Sequence, residues 1–254
     1  MTDEPMITKI GFGPFGEARF SPYLDCKPSY MSGMAHRMHG FLTLWFLLAM
    51  HAVAAKSFRE ARIGTQTWMQ ENLNVDRFRN GDPIPQLRSP EEWGDAIKHK
   101  KPGYCYLYNN PGYGPKYGRF YNWWAVIDPR GLAPEGWHVP DDDEWNTLTQ
   151  FLGGPYVSPK RLKNTDEQTW GRGTAGTNES GFTGQAAGLR GSRAKDYFLF
   201  GMGVWWCTTE VDYFVTAARQ LRSQGGFVRV SEGLAKNMTM LDWGLSVRCV
   251  KDTL

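Results

Sequence analysis

Trp137-His138-Val139-Pro140-Asp141-Asp142-Asp143-Glu144-Trp145 divides this chain into two halves of different pattern. Asp141 is placed to cap a helix, and Glu144 is placed to reach back to the cap's own N–H. Trp145, Leu148 and Leu152 then follow at helical spacing until Gly153-Gly154 ends the run. Two more helix signals lie upstream. Ser89-Pro90-Glu91-Glu92 supplies a cap, a first-turn proline and a capping-box carboxylate for a helix through Trp93, Ala96 and Ile97. Phe120, Trp123, Trp124 and Ile127 recur at i, i+3, i+4 and i+7, which predicts a half-buried helix that stops before Pro129. Downstream, short extended segments are expected at 203–208, 215–222, 227–231 and 244–250, separated by Gly, Asn and Ser. An earlier pair, 61–63 and 67–69, predicts a hairpin around Gly64. Helices first and strands later point to an α+β domain.

The composition agrees with that reading. The formal charge is +3 with both signs interspersed, which leaves no electrostatic footprint for nucleic acid. Eleven Trp, eleven Tyr and 29 Gly suit an irregular, loop-rich domain held by aromatic packing rather than a helical bundle or a doubly wound fold.

The N-terminal region has a separate logic. Met34-Ala-His-Arg-Met-His39, the apolar run from Phe41 to Met50, and His51-Ala-Val-Ala-Ala55 predict a secretory signal over 34–55, cleaved after Ala54 or Ala55. A spanning helix needs about twenty apolar residues, so no permanent membrane span is expected. A buried core helix is the alternative reading of the run. No Cys follows the site, which argues against a lipid anchor. Residues 1–33 read as an untranslated segment, with the start at Met31 or Met34, or as a disordered one. One domain over 56–254 is then left, secreted or held at the cell surface.

Several stretches together carry a family resemblance. They are Ile63-Gly-Thr-Gln-Thr-Trp-Met-Gln-Glu-Asn-Leu73, Gly81-Asp-Pro-Ile-Pro85, Tyr104-Cys-Tyr-Leu-Tyr-Asn-Asn110, Tyr121-Asn-Trp-Trp-Ala-Val126, Gly136-Trp-His-Val-Pro140, Thr177-Asn-Glu-Ser-Gly-Phe-Thr183 and Gly244-Leu-Ser-Val-Arg-Cys-Val250. In that order they resemble the Fibrobacter succinogenes major paralogous domain, a family of exported bacterial proteins. More distantly, that family resembles the C-type-lectin-like superfamily, which includes formylglycine-generating enzymes and the variable proteins of diversity-generating retroelements. The resemblance implies a twisted antiparallel sheet flanked by two main helices, with chain ends close together and long loops displayed on one side.

The chemistry-bearing residues favour binding over catalysis. Without Cys26, the chain keeps Cys105, Cys207 and Cys249, an odd number for an oxidising compartment. Cys207 with Cys249 is the expected disulfide, since both fall on late strands; three buried reduced thiols are the alternative. The oxidases in the resembling group use two closely spaced C-terminal cysteines for copper, and that pair is absent here. His138 reads as a structural hydrogen-bonding residue. Asp141 to Glu144 lack the turn Gly and the bidentate Glu of a calcium loop, so they read as helix-start charges. A surface Ca2+ is the one cofactor left open.

Aromatic residues of the late segments exceed what one sheet face can bury, so some should meet a ligand. The expected recognition residues are Tyr197, Phe198, Trp205, Glu210, Asp212, Tyr213, Arg229 and Asn237. The expected partner is a glycan or a protein surface at the cell exterior. The other readings are a structural cell-surface or fibre component and a formylglycine-generating-type oxidase.

Overall fold

The computed structural model describes residues 57–191, 201–212, 215–230 and 240–253. The predicted export signal and the segment before it lie outside these residues. The first element among the described residues is the expected hairpin. Strands β1 (Glu60–Ile63) and β2 (Gln66–Met69) pair antiparallel, and Gly64 takes a positive φ of 62° at the turn. That backbone strains a residue with a Cβ, which is why the turn uses glycine.

A second sheet joins β3 (Tyr104–Cys105), β4 (Phe120–Asn122) and β9 (Gly244–Leu245) in the order β3-β4-β9. The third is an antiparallel meander of β6 (Met202–Asp212), β7 (Val215–Arg222) and β8 (Phe227–Val230). The first sheet is completed by β5 (Trp137–His138) and β10 (Val250–Lys251), in the order β1-β2-β10-β5. Val250 sits opposite both Trp68 and His138, so the C-terminal strand lies beside the N-terminal hairpin.

The closing segment expected as one strand over 244–250 is instead a suture through all three sheets. Gly244 and Leu245 pair with β4. Ser246 then exchanges backbone hydrogen bonds with β6, accepting from Trp206 at 3.0 Å and donating to Val204 at 3.2 Å. Farther on, the carbonyls of Val247 and Cys249 accept from Leu73 and Met69. Residues 243–250 are all buried. Their alternation therefore does not separate an inner from an outer face; it separates two cores. Leu245, Val247 and Cys249 enter a cluster with Tyr121 and Trp206, whereas Val250 enters another with Trp68, Trp145 and Trp205.

Six α-helices occur among the described residues: α1 (Pro90–Lys98), α2 (Gly114–Tyr117), α3 (Trp123–Val126), α4 (Asp142–Phe151), α5 (Ser158–Leu162) and α6 (Glu167–Trp170). The two longest are α1 and α4, both predicted. Ser89 caps α1, but Glu92 accepts from the N–H of Arg88 rather than of Ser89. Helix α4 has the full reciprocal capping box between Asp141 and Glu144. The helix expected from Phe120 onward begins only at Trp123. Asn122 is the reason: its Oδ1 accepts from the N–H of Ala125 as a cap and from the N–H of Gly103, while its amide donates to Lys101 O. The three residues up to this cap are strand β4. The chain is thus a mixed α and β protein with antiparallel sheets. No helix among the described residues is long and apolar enough to cross a membrane.

Candidate functional site at the roots of the late loops

Two late segments, 192–200 and 231–239, lie outside the described residues, and the residues that flank them meet in the fold. Arg190 precedes the first segment and Gly244 follows the second. They form an antiparallel bridge in which each N–H donates to the other's carbonyl at 2.9 Å. Trp93 of α1 locks the junction. Its ring lies 4.3 Å beneath the Arg190 guanidinium, and its Nε1 donates to Asp242 O at 2.9 Å. Stacking on indole compensates part of the cost of burying the Arg190 cation. Gly244 is required by close approach, because an added Cβ would meet the Trp93 ring at 2.7 Å.

The meander contributes a second set of positions. Strand β7 begins and β8 ends at one end of this sheet, since Ala218 pairs with Val230. Glu210 and Asp212 reach the same end, opposite Thr216 and Val215, past register shifts after Trp206. Arg229 lies on β8 opposite Arg219. Segment 192–200 enters β6 at the other end, where the Gly201 N–H donates to Thr169 O. The predicted recognition residues therefore fall into groups. Glu210, Asp212 and Arg229 share one end of the meander, whereas Tyr197, Phe198, Tyr213 and Asn237 lie outside the described residues.

Trp205 is a correction. It was expected to meet ligand, but it is 0 % exposed. Strand β6 has β7 on one side and Ser246 on the other, and both of its faces are covered. Trp205 and Trp206 point to opposite faces as alternation requires, yet each enters a core cluster. Their indole N–H groups are satisfied internally, by Asn72 Oδ1 and Tyr121 O.

The expected Cys207–Cys249 bridge is not formed. Cys207 packs with Trp68 and Trp145, Cys249 with Tyr121 and Trp206, and Cys105 with Trp93 and Phe120, so the three buried thiols belong to three clusters. Burial pushes the Cys207 thiol up and the Cys249 thiol up to about 12, which suppresses the thiolate that nucleophilic attack or copper ligation needs.

The acidic run is engaged in the fold. Asp141 and Glu144 form the capping box, Glu144 also meets His138, and Asp142 pairs with Arg219 at 2.5 Å. His138 is held from both sides, Nε2 to Glu144 at 2.7 Å and Nδ1 to Asp252 at 2.6 Å. Hydrogen bonding to Glu144, then to Asp252, raises its pKa to about 9, so it stands as an imidazolium clamp between α4 and the C-terminal end of the sheet. Arg248, fully buried, lies 4.2 Å from the Phe182 ring and donates to Asn72 Oδ1 at 2.7 Å and Met69 O at 3.0 Å. Desolvation pulls its guanidinium below the ordinary value.

Sequence reasoning missed the aromatics that do face solvent. Tyr108 and Tyr113 are 51 % and 38 % exposed and sit edge to face at 6.1 Å. Phe151 and Tyr156 are 62 % and 85 % exposed. The usable signal was their neighbours: Tyr108 and Tyr113 flank Asn109-Asn110-Pro111-Gly112, and Tyr156 follows Gly153-Gly154-Pro155. Turn residues lift rings off the core.

The model of the Fibrobacter succinogenes major domain matches residues 61–251. No curated protein and no solved structure matches the chain.

Proposed function

The chain belongs to the Fibrobacter succinogenes major domain family, and from that membership and the loop junction we propose an exported recognition module on a C-type-lectin-like scaffold. Its late loops bind a glycan or a protein surface at the cell exterior. The observation that carries this reading is the Arg190–Gly244 bridge over the Trp93 ring, which ties a residue shortly before segment 192–200 to one shortly after segment 231–239. Rigid roots under variable loops are the usual way a scaffold presents a binding surface. The pairing of β10 with β2 supports the scaffold assignment, because it brings the two ends of the domain together. The buried thiols and the doubly paired His138 support binding rather than turnover.

The test is a glycan array together with a pull-down against cell-surface extracts, run with the folded chain. A second chain has 192–200 and 231–239 replaced by Gly/Ser linkers. Ligand captured by the first and lost by the second is the expected result. Two blank experiments with folded protein, or equal capture by both chains, would defeat the reading.

A further inference from the structure

A cleft of about 250 Å3 opens on residues that are not part of the late loops, between β1, the end of α4, α5 and the turn at Glu179 and Ser180. Its floor is apolar, with Ile63 and the ring of Phe151. The Phe151 ring stands directly over Gly64, where an added Cβ would approach it to 2.9 Å, so the positive-φ turn makes room for the ring and fixes its place. More than half of the ring's residue remains exposed. The walls are polar: Arg62, Arg161, Glu179 and Ser180, whose hydroxyl is held by Arg161 O and the Phe182 N–H. Arg161 is paired with Glu179 at 3.4 Å. Arg62 is exposed and has no ion-pair partner among the described residues. Two guanidiniums against one carboxylate leave a single net positive charge.

We propose that this cleft binds one acidic pyranose unit of a polyuronide, its ring on Phe151 and its carboxylate at Arg62. Glu179 then faces the sugar hydroxyls. Three features select this class. An exposed flat ring offers a face for the C–H side of a pyranose. The volume lies below the 300–1,000 Å3 typical of drug-sized ligands, so it takes a single small unit. One net positive charge matches a monocarboxylate and falls short of what a phosphate cluster attracts.

Titration of the folded chain with trigalacturonate and, separately, with the neutral maltotriose tests the proposal, read by NMR shifts at the amides of residues 62, 151 and 180. The acidic sugar is expected to bind, with affinity reduced about tenfold or more, about 1.4 kcal/mol, in Arg62→Gln and in Phe151→Ala. The chain with replaced late loops should bind it unchanged, which separates this cleft from the loop surface. Equal binding of the neutral sugar, binding indifferent to both substitutions, no binding at all, or tighter binding of a peptide ending in Phe carboxylate would each overturn it. Both substituted side chains are exposed, so the variants fold.

Discussion

Arg190 and Gly244, 54 positions apart in the chain, bond to each other through both of their backbone N–H groups at 2.9 Å. Neither belongs to a loop that was legible as a pair from sequence. The Trp93 ring under Arg190 makes this junction a packed unit rather than a chance contact. Gly244→Ala is expected to destabilise the domain by about 1–3 kcal/mol through overpacking against Trp93. Trp93→Ala should cost about 3–5 kcal/mol. Urea denaturation gives both values, and hydrogen exchange at the Arg190 and Gly244 amides should quicken in each variant. Unchanged exchange would mean that the bridge is not held by Trp93.

Asn72 organises a second buried junction. Its Oδ1 accepts from both Arg248 and Trp205, and its amide donates to Tyr117 O. Asn72→Ala strands two buried donors, one of them charged, and is expected to cost about 3 kcal/mol or more. Asn72→Asp keeps the acceptor and supplies a counter-charge for Arg248, so it should lose less. Comparison of the two midpoints in urea checks the ordering.

The His138 clamp predicts a pH dependence of defined sign. Its folded pKa of about 9 lies above the unfolded value near 6.5, so the stabilisation is complete below about pH 6.5 and fades as pH rises through about 9. The imidazole is 40 % exposed, and solvent screening reduces the effect to about 1 kcal/mol. The stability difference between the parent chain and His138→Gln should shrink by that amount between pH 6 and pH 10. A difference constant with pH would remove the charge from the account.

Thiol chemistry checks the correction at Cys207 and Cys249. Under native conditions at pH 8, all three buried cysteines should resist a thiol reagent; in denaturant without reductant, Cys105, Cys207 and Cys249 should all be labelled. A peptide map that joins Cys207 to Cys249 would restore the bridge.

Three local signals in the sequence were accurate because their physics is local. The capping box at Asp141 and Glu144, the Ser89 cap and the Gly64 hairpin each depend on residues within a few positions of one another, and all three are present. The stripe from Phe120 to Ile127 misled because its period was read without Asn122, whose side chain bonds to Gly103 and Lys101 about twenty residues upstream. Trp205 misled for a related reason: alternation tells which residues share a face, but not whether the opposite face is also covered.

The sequence by itself determined the family, through its ordered motifs, and the mixed α and β class, the two main helices and the hydrogen-bonding role of His138. The two helices follow from spacing and capping, which act along the chain. The tertiary structure alone decided that 244–250 stitches three sheets together, that Trp205 is core, that the cysteines lie in separate clusters and that Arg190 pairs with Gly244. Each of these depends on which distant segments become neighbours, and hydrophobic burial, being non-directional, does not write that choice into any local pattern.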